Sequence, residues 1–237
     1  MRTWMVLLTA AACGSGHTTK PDAPAPPTMT VYLSFEGEMI QPTTAGNDNA
    51  ATNMSSILTA AKTVPPYLDN VATRDTTIAQ VVSETQARFA PFDVAVVTDR
   101  PTSGDYFMIV FTGEPGPILG AGTNGTSAIT TESCPTGPNP NGIAFQFQSG
   151  TSADAYVPVQ RGNLSIPAVA LAQLVPPTSM TNDCTCWAAT GCGFPTTPCT
   201  IGGAGTPVDT AHACPGAPAT EDEMSVLTGI FGAVRGL

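Results

Sequence analysis

The chain has 237 residues, of which 42% are apolar and 11% charged, and its formal net charge is −10. This length suits one well-packed domain, and the composition is that of a globular protein rather than a disordered one. Only eight Lys and Arg residues are present. A nucleic-acid partner and electrostatic binding to an anionic membrane are therefore not expected, because both require clustered positive charge.

The N-terminal segment predicts an exported chain. One positive charge precedes a short apolar run and then small residues that end at Cys13, which is the outline of a secretory signal. This arrangement resembles a bacterial lipoprotein signal, in which residues 1–12 are removed and Cys13 is lipidated. Residues 13–27 are small, polar and proline-rich, which predicts an extended tether. We expect a lipid anchor in the outer membrane of the cell envelope, with ordinary signal cleavage as the alternative.

Residues 28–237 are predicted to form a single domain. A β-branched and aromatic strand is predicted at 30–35, followed by loops over 41–73. Thr77 and Gln80 form a capping-box pattern, which predicts the start of a helix that Pro91 ends. The predicted apolar face of that helix contains Ile78, Val81, Val82 and Phe89.

Further elements follow in chain order. A mostly buried strand is predicted at 92–98, a central strand at 106–111, a long surface excursion over 113–142 and an alternating strand at 142–148. Ser165 is predicted to cap a buried helix that runs to Val175. A second capping box predicts a C-terminal helix that begins after Thr220. The apolar face of that last helix is predicted to hold Met224, Leu227, Phe231 and Val234.

This order of elements predicts an α/β (α+β) fold. A strand, a helix and a second strand at the start favour a sheet with parallel members and helices packed on it. We expect a mixed, twisted sheet of four to five strands with two main helices. A Cys-rich region over 178–218 and a terminal helix are expected to complete the domain.

Six cysteines remain once Cys13 is set aside, and an even number in an exported chain predicts three disulfides. Fifteen connectivities are possible, and only a bond between the two nearest cysteines is disfavoured by their spacing. A thiolate metal site with His212 is the alternative, although the spacings do not match common zinc motifs. The disulfide candidates are Cys134, Cys184, Cys186, Cys192, Cys199 and Cys214.

The segment RFAPFDVAVVT at residues 88–98 carries the most specific resemblance in the chain. It is similar to a segment of bacterial zincin-like secreted metalloproteases of the metzincin or matrixin type. The resemblance covers residues 31–183 and implies a zincin-like domain. In that family an H-E-x-x-H helix supplies two zinc ligands and a general base, and a third ligand follows downstream.

The resemblance implies that this chain has lost the zinc site. Carried over by the buried-helix pattern, the ligands fall on Gln173, Pro177 and Asp183, and the base falls on Leu174. Leucine cannot accept a proton, and proline has no side-chain donor atom. The chain contains only two histidines, so H-E-x-x-H occurs nowhere in it. We therefore expect no zinc, no other cofactor and no catalytic residues at these positions.

The favoured function is that of a non-catalytic, envelope-anchored binding protein. The former active-site cleft would hold a peptide or an envelope protein. One alternative is a diverged metal-dependent hydrolase that uses Asp183, His212 or other carboxylates, so enzyme activity stays open. Another is a structural lipoprotein stabilised by disulfides. Four carboxylates could also bind calcium, but solvated surface positions are favoured for Glu36, Glu38, Asp48 and Asp69.

Overall fold

A computed structural model describes residues 27–120, 129–130, 137–148, 157–186, 196–211 and 213–234. The fold is mixed α/β, as the sequence predicts. The four helices are α1 Arg74–Phe89, α2 Gly116–Leu119, α3 Val157–Ala172 and α4 Glu223–Phe231. The strands are β1 Met29–Ser34, β2 Glu38–Pro42, β3 Met54–Ser55, β4 Lys62–Val64, β5 Val94–Val97, β6 Phe107–Thr112, β7 Ile129–Thr130, β8 Ile143–Phe147, β9 Ala204–Pro207 and β10 Thr220–Asp222.

The main sheet has five strands in the order β5-β1-β6-β8-β7. The first four are mutually parallel, and β7 runs antiparallel to β8 at one edge. This arrangement confirms the predicted mixed sheet of four to five strands. Among the described residues, no helix is both long enough and apolar enough to cross a membrane.

Both faces of the main sheet are buried. Val31, Leu33 and Ile109 belong to one apolar cluster, which the long helices α1 and α3 cover. Tyr32 and Met108 belong to a second cluster on the other face, together with residues of the small β2–β4 sheet. All six residues of β6 are therefore buried, which explains the continuous apolar run that predicts a central strand.

The small sheet corrects the sequence prediction for residues 41–73. Strand β2 pairs with β3 in parallel and with β4 antiparallel, where only loops were predicted. For two of the four carboxylates, the prediction of a solvated surface position is wrong, because their side chains bind other residues of this region. Asp48 is buried and accepts hydrogen bonds from Ser55 and Ser56, and Glu38 is ion-paired with Arg100 at 3.2 Å. Asp69 and Glu36 are exposed, as predicted.

Three predicted helix starts are wrong. Helix α1 begins at Arg74, because that guanidinium donates to the carbonyls of Phe35 and Tyr67 and fixes the first turn before Thr77. Helix α3 already includes Val157, the first described residue of this stretch, so Ser165 lies inside the helix instead of capping it. In α4 the cap is Asp222, whose side chain accepts from the Ser225 N–H. The start of α1 and the extent of α3 depend on distant contacts or on buried polar residues, which local patterns do not report, whereas the Asp222 cap is a local contact.

The alternation of apolar and polar residues along β8 does not correspond to one buried and one solvated face. The pattern predicts one solvated face, yet all five residues are buried. The amide of Gln146 faces α3, where it donates to the Arg161 carbonyl at 3.3 Å and to the Ser165 hydroxyl at 3.1 Å. Ser165 in turn lies 3.3 Å from the hydroxyl of Thr85 on α1. These side chains form a polar line from the sheet through α3 to α1.

Helices α1 and α3 cross closely at Gly162. A Cβ atom placed there would lie 2.7 Å from Cβ of Glu84 and 2.9 Å from its carbonyl carbon, so no larger side chain fits without movement of α1. Next to this crossing, Asn163 accepts from Arg88 at 2.8 Å and from the Cys199 N–H at 3.1 Å. Its amide also donates to the Thr197 carbonyl. Asn163 therefore joins both helices to the Cys-rich region.

We predict that Gly162→Ala lowers the free energy of unfolding by about 1–3 kcal/mol, because the added methyl overpacks the helix crossing. The matched control is Gly229→Ala in α4, where a Cβ meets nothing within 4 Å. That control is expected to raise stability by less than about 1 kcal/mol through helix propensity. Denaturant unfolding measures both, and equal effects of the two substitutions would contradict the close crossing.

Candidate functional site

The four positions carried over from the zincin family lie after α3 rather than on it. The helix was predicted to run to Val175, but it ends at Ala172. Gln173 is buried, and its amide donates to the Asn139 carbonyl at 2.6 Å. The side chain that occupies the first ligand position thus holds a neighbouring loop.

Leu174, which the resemblance places at the position of the general base, ends the helix. Its φ is 66°, in the left-handed region that non-glycine residues rarely adopt. The Leu174 N–H donates to Leu171 O, and the Val175 N–H donates to Ala170 O. These two bonds form a Schellman motif, which satisfies carbonyls at the end of the helix. The chain therefore turns away at the position where the family continues its metal-binding helix.

Pro177 and Asp183 lie in the region that α3 leads into. Pro177 is buried, and its carbonyl accepts from the Asp209 N–H at 2.8 Å. Asp183 is buried as well, and one carboxylate oxygen accepts from both the N–H and the hydroxyl of Thr185. These two positions take part in the C-terminal structure and do not meet Gln173 in any hydrogen bond between described residues.

Asp183 belongs to a cluster of three buried carboxyl groups. Glu221, on β10, and Glu223, at the start of α4, both interact electrostatically with it. The exposed fractions are 7% for Asp183, 9% for Glu221 and 0% for Glu223. One oxygen of Glu223 accepts from the Gly202 N–H at 2.5 Å. A side chain on Gly202 would collide with Thr206, so the glycine is required for this approach.

Burial dominates the chemistry of this cluster. Desolvation raises the pKa of Glu221 to about 7, and the nearby Asp183 carboxylate adds to the rise. Desolvation followed by interaction with Asp183 raises the pKa of Glu223 to about 8, against the opposing effects of Gly202 and Thr185. A neutral carboxyl beside an ionised one can donate a proton while its neighbour accepts one, which is the pairing that acid–base catalysis uses.

Because residues 220–223 match a capping box, the sequence did not indicate that Glu221 and Glu223 are buried. Acidic residues near a helix start are usually solvated and favoured by the helix dipole, which is how the sequence presents them. Strand β10 pairs with β9 and turns Glu221 inward, and Glu223 follows it into the interior. Met224 and Val234, predicted on the apolar face of α4, are partly exposed instead, at 37% and 36%. Leu227 and Phe231 are fully buried, as predicted.

Disulfides organise the Cys-rich region. Cys184 and Cys199 are bonded, with their Cα atoms 5.0 Å apart, and the bond follows directly after Asp183. Cys186 and Cys214 each take part in a disulfide as well. The prediction of disulfides is therefore confirmed for these four cysteines. Cys13, Cys134, Cys192 and His212 lie outside the described residues.

Metal ligands do not converge in the part of the chain that is described. Within those ranges, no group of three or more His, Cys, Asp and Glu side chains is arranged to hold a metal ion. The carboxyl cluster has two carboxylate oxygens without hydrogen-bond partners, one on Glu221 and one on Glu223. Protonation is the form of charge compensation that the raised pKa values indicate for these two groups.

We predict that stability falls as pH rises from about 5 to about 9. The folded pKa values of Glu221 and Glu223 lie above the ordinary value of 4.5, so the folded state binds more protons than the unfolded state across this window. Their contribution is fully present below the ordinary value and lost above the raised ones. We expect a change on the order of a few kcal/mol, since each unit of pKa difference contributes about 1.4 kcal/mol.

Urea unfolding at several pH values measures this dependence. Glu223→Gln should flatten the curve, because the amide stays neutral and can still accept from Gly202. Asp69→Asn, at an exposed carboxyl, should leave the slope unchanged. Equal slopes for the unmodified chain and Glu223→Gln would show that Glu223 does not titrate in this range.

Two comparisons with known proteins bear on the resemblance to zinc proteases. No protein-family model matches the chain, and no curated protein matches its sequence. The zincin-like assignment therefore depends on the segment at residues 88–98 and on the order of strands and helices.

Proposed function

We propose that the chain is an exported lipoprotein of the cell envelope whose zincin-like domain binds an extended peptide without a metal. The proposed anchor is the lipidated Cys13, followed by the tether of residues 13–27. The proposed occupant of the former active-site cleft is a peptide or a segment of another envelope protein. No catalytic role is assigned to the cleft.

One observation carries this proposal: Gln173 and Leu174, the residues that the resemblance assigns to the first ligand and the base, form the end of α3. Gln173 holds the Asn139 carbonyl, and Leu174 adopts the left-handed conformation that turns the chain. Neither can bind zinc or accept a proton in that arrangement. The peptide-binding role is supported by β7, which lies at the edge of the sheet and contacts α3. An edge strand can pair with an extended peptide through backbone hydrogen bonds.

Zinc content is the first test. The full chain, recovered from the envelope in its oxidised form, is incubated with zinc, freed of excess and measured by elemental analysis. A structural zinc site would retain its metal through this treatment, because such sites hold zinc tightly at neutral pH. Since the proposed domain has no such site, we expect less than about a tenth of an equivalent per chain. One retained equivalent would overturn the proposal. Asp183→Asn and His212→Ala would then identify which of these residues bind the metal.

A second candidate function is that of a diverged hydrolase. The observation that favours it is the cluster of Asp183, Glu221 and Glu223, in which burial raises the pKa of both glutamates beside a third carboxyl group. In this candidate Asp183 acts as general base and Glu223 as general acid. The near-complete burial of both groups counts against it, because a substrate must reach them.

Hydrolysis of labelled casein tests the second candidate between pH 5 and 9. If the cluster is catalytic, Glu223→Gln should lower the rate at least about 100-fold, since loss of a general acid costs roughly that much. Asp69→Asn should retain the full rate. Absence of hydrolysis by the unmodified chain, or equal rates in the two variants, would remove this candidate.

A further inference from the structure

The side of the sheet opposite β7 carries a groove along β5. Two adjoining depressions, with volumes of about 570 and 600 Å³, lie beside helix α1; the first borders β5, and the second borders the end of β1. Both are lined by Val82, Thr98 and Asp99, so they form one continuous surface. We call this surface the β5 groove. Neither the resemblance to proteases nor the carboxyl cluster assigns it a role.

The backbone of β5 is available along this groove. All four residues are partly exposed, and β1 is the one strand among the described residues with which β5 pairs. The segment after α4 reaches this edge but pairs at Phe92 and Asp93, just before the strand begins. Beyond that point, the Gln86 amide touches the Val96 carbonyl at 3.5 Å, which is the limit for a hydrogen bond.

The direction of that contact shows which backbone groups point outward. The Val96 carbonyl faces away from β1, toward α1 and the groove. Because backbone groups alternate between the two sides of a strand, Val94 presents its N–H and C=O on the same side. Outward groups that no neighbouring strand pairs with are a template for an added strand.

The rim of the groove carries unbalanced negative charge. Asp99 is exposed and makes no ion pair with any described residue. Glu36 and Asp75 are 77% and 98% exposed in their side chains and share the single guanidinium of Arg74. Arg100 lines the groove as well, but its side chain is engaged by Glu38, Tyr106 and the Ala50 carbonyl.

The groove floor is apolar. Ile78 and Val82 of α1 and Val96 of β5 are partly buried side chains packed against the main core. They line the depressions beneath the charged rim. A strand laid beside β5 would therefore place alternate side chains on this floor and keep the others in solvent.

We propose that the β5 groove binds an extended segment of a partner protein. This segment adds as a strand beside residues 94–97 and sets a Lys or Arg against Asp99. The partner is cationic because the uncompensated groups on the rim are carboxylates. A second copy of this chain fits poorly, because pairing two β5 edges would bring together two acidic rims on molecules of net charge −10.

This site is separate from the cleft of the proposed function. In the strand order, β5 and β7 lie at opposite edges, four strand spacings or roughly 19 Å apart. Binding at β5 does not require a zincin origin, and loss of one site does not predict loss of the other.

The probe is a fluorescent hexapeptide of alternating valine and threonine with one central lysine, and its counterpart carries glutamate instead. Fluorescence anisotropy with the full chain at low salt is expected to show binding of the lysine peptide only. Asp99→Asn should weaken that binding about 1.5- to 5-fold, the range for an exposed ion pair. Asp99→Lys should reverse the preference toward the glutamate peptide. Asp69→Asn is the matched control and should bind like the unmodified chain.

A backbone test separates strand addition from simple charge attraction. Val96→Pro removes an outward N–H at the edge and should abolish binding, with unchanged thermal unfolding as the check on folding. If that variant fails to fold, amide chemical shifts of the unmodified chain decide, and we expect changes centred on residues 94–97. Shifts centred on residues 129–130, equal binding of both peptides, or a doubled mass in sedimentation without peptide would overturn the proposal.

Discussion

The close crossing of α1 and α3 is the constraint on which the rest of the domain depends. Gly162 lets the two helices approach, and this brings the hydroxyls of Thr85 and Ser165 within 3.3 Å. Gln146 extends the polar line to β8. Asn163, one residue further along α3, bonds to Arg88 and to the backbone beside the Cys184–Cys199 disulfide. One turn of α3 thus fixes the sheet, the other helix and the Cys-rich region relative to one another.

These contacts in the middle of α3 also influence how the helix ends. With the middle of the helix held, Leu174 turns the chain and the next residues lead to the C-terminal strands. Thr178 forms an antiparallel bridge with Val208, and Asp183 forms a parallel bridge with Thr200. Asp183 therefore enters a separate layer instead of returning toward Gln173. On the proposal of a zincin origin, the ligand positions were drawn apart by the same turn that ended the helix.

The sequence predicted the elements whose signal is local and strong. The run at residues 106–111 predicted β6 because both of its faces are buried. The segment at 92–98 predicted β5, but the prediction that this strand is mostly buried is wrong, because it lies at the sheet edge and its four residues are partly exposed. The start of α3 was missed because Arg161, Gly162 and Asn163 look like a surface loop. Arg161 is fully buried, donates to the Phe147 carbonyl at 2.8 Å and has its pKa lowered mainly by desolvation. Only tertiary contacts reveal that these polar residues are interior.

The carboxyl cluster and the β5 groove compensate negative charge in different ways. Protonation is available to the buried cluster, whereas the exposed groove can bind a cation from a partner. Glu221 and Glu223 lie where water cannot solvate a charge, so protons neutralise them and couple the region to pH. Asp99 lies at the surface, where water solvates its carboxylate and an incoming cation can replace that water at little cost.

Asp183 was identified from the sequence by analogy with a ligand, but its partners come from β10 and α4, which no local pattern connects to it. Asp99 was not identified, because an exposed carboxylate becomes notable only beside an unpaired strand edge. The buried cluster can change state without a partner, whereas the β5 groove requires one.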